Sequence, residues 1–208
     1  MVKVGITGAI GAGKSFLGEL LRQRNFQVLD ADKMVHELYR DNEALRSELA
    51  AAFGENCLTS SGVNRRYVAD LIFKNDAKRI QLESIVYPHL TQAVERFFGK
   101  ASAHSQEDTT EEPTAPKVKF VEAALFSRTP EIVAMLDEIW IVEATEEIRL
   151  RRLVARGLDE EDAQRRIQNQ HGACDISLFP KQCVKILKND EERPSLERQM
   201  EELLRRIL

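Results

Sequence analysis

Apolar residues recur along this chain with two different rhythms, and the rhythms divide it into strands and helices. Val2-Lys3-Val4-Gly5-Ile6-Thr7 is a short apolar run that reads as a buried first strand; Phe16, Leu17, Leu20 and Leu21 then recur at helical spacing. Gln27-Val28-Leu29, ending in Asp30, reads as strand two. Residues 33–100 read as almost wholly helical, punctuated by Asp41-Asn42, by the turn-rich stretch Gly54–Asn64 and by Pro88. Asn64 is placed to cap a helix carrying Val68, Leu71 and Ile72, and Asp76 to cap the next, with Ile80, Leu82 and Ile85. Val118-Lys119-Phe120-Val121 reads as strand three. Glu138-Ile139-Trp140-Ile141-Val142 is strand four, apolar throughout after its glutamate, as a strand buried on both faces should be. Glu146–Arg156 and Asp159–Gln170 read as helices and Val184–Leu187 as strand five. Pro194 and Ser195 open a final helix with Leu196, Met200, Leu203 and Ile207 on one stripe.

Strands alternating with helices predict an α/β fold, a parallel five-stranded sheet with helices on both faces. The expected organisation is one domain: a core from 1–32, 118–145 and 172–208, a helical subdomain at 33–100, and a two-helix lid at 146–171. No internal repeat is visible. Residues 101–117 break the pattern. They are polar, acidic and almost free of large apolar groups, which predicts a mobile loop.

Composition narrows the class. At 208 residues and 43% hydrophobic content the chain can build one substantial core. A net charge of −4 argues against a general nucleic-acid binder. No apolar run approaches a membrane span, and no leader pattern precedes strand one, so a cytoplasmic protein without membrane attachment is expected. Cys57, Cys174 and Cys183 are too scattered for a disulfide framework or zinc site and read as reduced thiols. No obligate protein partner is evident.

The chemistry starts at Gly8-Ala9-Ile10-Gly11-Ala12-Gly13-Lys14-Ser15, a G-x-x-x-x-G-K-S run. Glycines let backbone N–H groups close around phosphate oxygens, the lysine reaches the outer phosphates, and the hydroxyl binds Mg²⁺. The run lies between a predicted strand and a predicted helix, where the helix N-terminus adds its own anion-binding field. Gly8, Gly11, Ala12, Gly13, Lys14 and Ser15 are therefore candidate nucleotide ligands, with Ser15 the metal ligand.

In such sheets ligands bind beyond the carboxyl ends of the strands. Strand two is followed by Asp30-Ala31-Asp32 and strand three by Glu122-Ala123-Ala124-Leu125-Phe126. Phosphoryl transfer needs a carboxylate near the acceptor hydroxyl, and Asp32 is the candidate base. A second reading stands beside it: Asp32 as cap of a helix over Lys33–Tyr39. Asp30 and Glu122 are alternatives for the base or for the Mg²⁺ water shell. Charge on the transferring group calls for arginine, and Arg149, Arg151, Arg152, Arg156, Arg165 and Arg166 fall within the predicted lid. Interleaved glutamates make most of these a solvated face. Arg152 and Arg156, spaced i,i+4, share a side.

Together these segments resemble dephospho-CoA kinases. The match rests on Gly8–Ser15, on Asp30-Ala31-Asp32-Lys33-Met34-Val35-His36, and on Asn64-Arg65-Arg66 leading to Ile72-Phe73. It continues in Leu82–Pro88, in Leu150–Arg156 followed by Arg166–Gln170, and in Ile186 to Asn189. The resemblance implies a P-loop kinase core and ATP-dependent phosphorylation of the ribose 3′-hydroxyl of dephospho-coenzyme A. ATP is then the phosphoryl donor, with Mg²⁺. It implies Asp32, Lys14 and Arg152 as catalytic residues and Arg152, Asn189 and Phe16 on the ATP side. Asp32, His36, Arg65, Glu122 and Arg156 are implied on the substrate side.

Departures from the family pattern carry their own expectations. Phe16 stands where many members have threonine, removing a hydroxyl able to contact the inner phosphate. Tyr87 replaces the histidine of an H-P pair and is given no catalytic role. Glu122–Ser127 replaces a P-L-L-F-E-like segment and moves a carboxylate toward the strand end. Another P-loop small-molecule or nucleotide kinase is the alternative. A GTP-binding switch would need an N-K-x-D run, which the chain lacks.

Overall fold

The computed structural model describes residues 1–73, 75–99, 118–124, 126–170, 174, 176–179, 182–190 and 193–208. The acidic stretch 101–117 lies outside them. Among them run β1 (Val2–Thr7), α1 (Lys14–Gln23), β2 (Gln27–Asp30), α2 (Ala31–Asp41), α3 (Glu43–Phe53), β3 (Leu58–Thr59), β4 (Gly62–Val63), α4 (Arg65–Phe73) and α5 (Asp76–Gly99). They continue as β5 (Val118–Glu122), α6 (Pro130–Ala134), β6 (Glu138–Glu143), α7 (Glu146–Ala155), α8 (Glu160–Gln168), β7 (Cys183–Lys188) and α9 (Arg193–Ile207). Two compact units result: Met1–Asp30 with Phe98–Leu208, and Ala31–Phe97.

The first unit is built on a parallel five-stranded sheet in the order β2-β5-β1-β6-β7. The chain moves one way from β1 to reach β2 and β5 and the other way to reach β6 and β7. The order therefore reverses at β1, the position that opens a crevice beyond its carboxyl end. Strand side chains alternate between two buried faces. Val118, Phe120, Trp140 and Val142 join Leu17, Leu20 and Leu21 of α1 and Leu196, Met200 and Leu204 of α9 in one cluster. Phe120 meets Phe26 and Trp140 edge-on, with ring centroids 5.6 and 5.3 Å away. Val121, Ile139 and Ile141 face the other way and are fully buried. Phe16 packs against the first cluster, so the side chain next to Ser15 serves the core.

Three sequence expectations change in the second unit. Helix α5 runs through Pro88 without stopping. The carbonyl that loses its donor belongs to Ser84, and Ser84 and Pro88 are both exposed. Leu82, Val86, Leu90 and Val94, all buried, hold the two halves in line. The cap of α5 is Asn75, whose Oδ1 accepts the Lys78 N–H at 3.0 Å; Asp76 is the first helical residue. Helix α2 begins at Ala31, so Asp32 lies inside its first turn and does not cap it. There a carboxylate is favoured by the helix field. Asn64 does cap α4, accepting the Tyr67 N–H at 3.2 Å, and the turn-rich stretch before it forms the β3–β4 hairpin. No helix among the described residues is long and apolar enough to cross a membrane.

Candidate active site

The G-x-x-x-x-G-K-S run joins β1 to α1 at the reversal point of the sheet. Gly13 adopts φ 108° at the helix start, a conformation that costs any other residue strain, and a Cβ there would run into the Asn189 side-chain amide. Lys14 and Ser15 form the first turn of α1, so their backbone N–H groups belong to the unpaired set at a helix N-terminus.

Ser15 donates its hydroxyl to Glu122 Oε1 at 2.6 Å. Glu122 ends β5, is 3% exposed, and stands in register beside Asp30 at the end of β2. Its Oε2 is buried and has no hydrogen-bond partner among the described residues; Arg22 Nη2 lies 4.0 Å away. Gly18, one turn after the loop, leaves space for this carboxylate, since a Cβ there would come within 2.8 Å of Oε2. Among the described residues no group of three or more His, Cys, Asp or Glu side chains could hold a metal ion. A Mg²⁺ ion here would rest mainly on phosphate and water, as that ion usually does, with Ser15 and Glu122 beside it.

The far side of the loop is gripped through its carbonyls. Arg152 on α7 donates Nη1 to the carbonyls of Gly11 and Ala12, both at 3.3 Å, and Nη2 to the Asn189 carbonyl at 2.8 Å. Asn189, buried after β7, donates Nδ2 to the Ala12 carbonyl at 2.7 Å. Burial lowers the basicity of the Arg152 guanidinium, with Asp190 working in the opposite direction. The loop after β7 is itself pinned: Asp190 accepts the Thr145 N–H at 2.5 Å, and Gln199 pairs with both backbone groups of Lys188.

A cavity of about 380 Å³ adjoins the loop, lined in part by Ala9, Ala12, Arg149, Gln170, Cys174 and Lys188. This lies in the range of small-molecule sites. The buried Nε of Arg149 has no hydrogen-bond partner among the described residues. Burial pushes the Cys174 thiol up, while the Thr7 hydroxyl, Lys14 and Arg149 pull it down. The other arginines of this stretch divide as the interleaved acids suggest. Arg151 pairs with Glu147 and Arg165 with Asp162 on the surface; Arg156, just past the end of α7, is exposed.

The helical unit carries the other candidates. Asp32 and His36, four apart on α2, share a face and are exposed; Arg65 opens α4 and is exposed. Tyr39 is held neutral well past its ordinary range, its pKa pushed up to about 12 by burial and by the neighbouring Tyr87, with Arg65 opposing. Arg149 stood among the lid arginines in the sequence and Gln170 closed the Arg166–Gln170 element, but neither was given a role of its own there. The signal available for Gln170 was its position just past the second lid helix.

A family model described as dephospho-CoA kinase matches residues 2–194. The dephospho-CoA kinase of Corynebacterium efficiens is 34% identical over 172 residues, covering 82% of this chain and 80% of that one. A crystal structure from Thermus thermophilus superposes with a TM-score of 0.74 at 26% identity, covering 100% of this chain and 98% of the other. The dephospho-CoA kinase structure from Campylobacter jejuni, at 20% identity, shares the fold with a TM-score of 0.61, covering 99% and 96%.

Proposed function

The chain belongs to the dephospho-CoA kinase family, an enzyme family of kinases, and from that premise we propose how its residues divide one reaction. The reaction moves the γ-phosphoryl group of ATP to the ribose 3′-hydroxyl of dephospho-coenzyme A, the last step of coenzyme A synthesis. The observation that carries the phosphate assignment is Arg149, which lines the cavity beside the loop and whose buried Nε has no hydrogen-bond partner among the described residues. A guanidinium edge without an acceptor is costly unless an anion completes it.

Lys14 binds the outer phosphates as a point charge, and the loop amides of Gly11, Gly13, Lys14 and Ser15 cradle them, while the Ala12 N–H is held by the Ala9 carbonyl at 3.0 Å. Arg152 and Asn189 act on the same phosphates by holding the loop's shape through the Gly11 and Ala12 carbonyls. Asp32 accepts the proton of the acceptor hydroxyl as its oxygen bonds to phosphorus and the bond to the β-phosphate oxygen breaks. Its exposure in the first turn of α2 supports that role. His36 and Arg65 bind the acceptor side, with Arg156 at the exposed end of α7. Mg²⁺, when bound, would supply positive charge against the charge developing on the phosphates. The orphaned, buried Glu122 Oε2 beside the Ser15 hydroxyl fits that ion's water shell. All three cysteines are unpaired, which supports a reducing, cytoplasmic setting.

The test is ADP release by purified protein with ATP and Mg²⁺, across dephospho-CoA, adenosine, nucleoside monophosphates and pantothenate. Signal confined to dephospho-CoA is the expected result. Signal with none of them, or with another acceptor alone, overturns the assignment.

A further inference from the structure

The α7–α8 segment meets the phosphate loop at a residue that no nucleotide-binding role requires. Ile10 is the variable third position of the run, and both of its ends are engaged. Its side chain packs into the small core formed by Leu153, Ala163 and Ile167, together with Leu150 and Leu158. Its backbone N–H donates to Gln170 Oε1 at 2.7 Å, across 160 residues of chain. The next two residues are held by the same segment, through Arg152 on the Gly11 and Ala12 carbonyls. The Arg149 backbone also stands against Gly11, where an added Cβ would lie 2.9 Å from its carbonyl oxygen.

From this we infer that Gln170 is a positioning residue for phosphoryl transfer: with Ile10 as the plug, it fixes the outer edge of the phosphate loop to the α7–α8 segment. The physical reason lies in what a cradle requires. Amides that bind phosphate must point at the ligand without protein partners, so the rest of the loop must be anchored by other groups. Gln170 takes the Ile10 N–H and Arg152 takes the following carbonyls. The Ile10 side chain adds apolar contact that disfavours rotation of the peptide unit. An α7–α8 segment tied in this way supports the loop and is not a freely swinging flap. Leu158, which follows the α7–α8 turn at Gly157, packs into the same plugged core.

This inference rests on the phosphate-binding reading above, and its test can fail separately from it. Selective ¹⁵N-isoleucine labelling reports the Ile10 amide in the nucleotide-free protein, where no turnover is needed. Its exchange with solvent is expected to be slow in the wild type and in Gln170→Glu, which keeps an acceptor. In Gln170→Met, which keeps length but loses the acceptor, exchange speeds up by roughly tenfold, the loss of one net hydrogen bond. In the same Gln170→Met protein KM for ATP rises roughly three- to tenfold, while KM for the acceptor stays put. Fast Ile10 exchange already in the wild type overturns the proposal without any variant. Equal exchange and equal KM for ATP in wild type and Gln170→Met also overturn it. Wild-type ADP release reads the kinase assignment independently.

Discussion

The two compact units hold their functional residues by opposite means. Around the phosphate loop, the groups that matter are locked by hydrogen bonds to backbone. Arg152, Asn189 and Gln170 come from three later segments, yet all three end on the peptide units of Ile10, Gly11 and Ala12. In the helical unit, Asp32, His36 and Arg65 project from helices, exposed, and what is fixed is the helix beneath each one. Asn42, Asn64 and Asn75 cap α3, α4 and α5 through their side-chain oxygens. A site that must present several amides to one polyanion needs its backbone over-determined. A residue that meets a hydroxyl or a charged group singly needs only a rigid stem. Substitutions in the first unit should therefore couple, and those in the second should act one at a time.

The largest effect tests the first unit. Lys14→Ala removes the one cation of the run itself, and turnover is expected to fall by at least about a thousandfold; near-normal ADP release would remove the phosphate role. Next comes Asp32→Asn in the second unit. Its kcat should drop by roughly 10²–10⁴ with KM for ATP unmoved, since only proton acceptance is lost. A parallel rise in KM for ATP would break the proposed independence, and a loss confined to thermal stability would return Asp32 to a helix role. Arg152→Lys should be milder, with KM for ATP up by about tenfold, because a point charge cannot span three carbonyls. Combined with Asn189→Ala, its effect should be less than additive, the two sharing the Ala12 carbonyl. Strict additivity would show that the loop is not held as one body.

The smallest expected effect lies at alkaline pH. Tyr39 has its pKa pushed up to about 12 in the folded chain, from a reference of 10.0. Between those values the native state keeps a proton that the unfolded chain releases. Stability is thus unaffected below about 10 and falls as pH climbs toward about 12, by an amount of order 2 kcal/mol. Tyr39→Phe should flatten that slope relative to wild type in urea unfolding between roughly pH 9 and 12. Identical slopes would show that burial does not hold Tyr39 neutral.

Much of the first unit is legible from the chain because its strands are short apolar runs with no competing period. Ile139–Val142 has no helical alternative that leaves a polar face, and it forms β6 as expected. The boundaries that moved did so for local reasons. Pro88 reads as a stop from its missing N–H alone, but the buried stripe on either side keeps α5 continuous. Asn75 and Asp76 are adjacent capping types, and only backbone placement selects the first. The helix of Pro130–Ala134 is too short to produce a period.

Sequence alone determined the phosphate run and the strand–helix alternation, which rest on residue order within a local window, and the family, which rests on the order of such windows along the chain. Tertiary structure decided what the later residues do to that run. Arg149, Arg151 and Arg152 look alike in a charged helix; one lines a cavity and buries an Nε unpartnered among the described residues, one pairs with Glu147 at the surface, and one reaches the loop carbonyls. That sorting depends on the direction in which α7 packs, which is set by Ile10, Leu150 and Leu153 meeting Ile167 across the fold. A contact spanning more than a hundred residues leaves no periodic trace in the chain, so the phosphate loop could be read from its own eight residues but its anchorage could not.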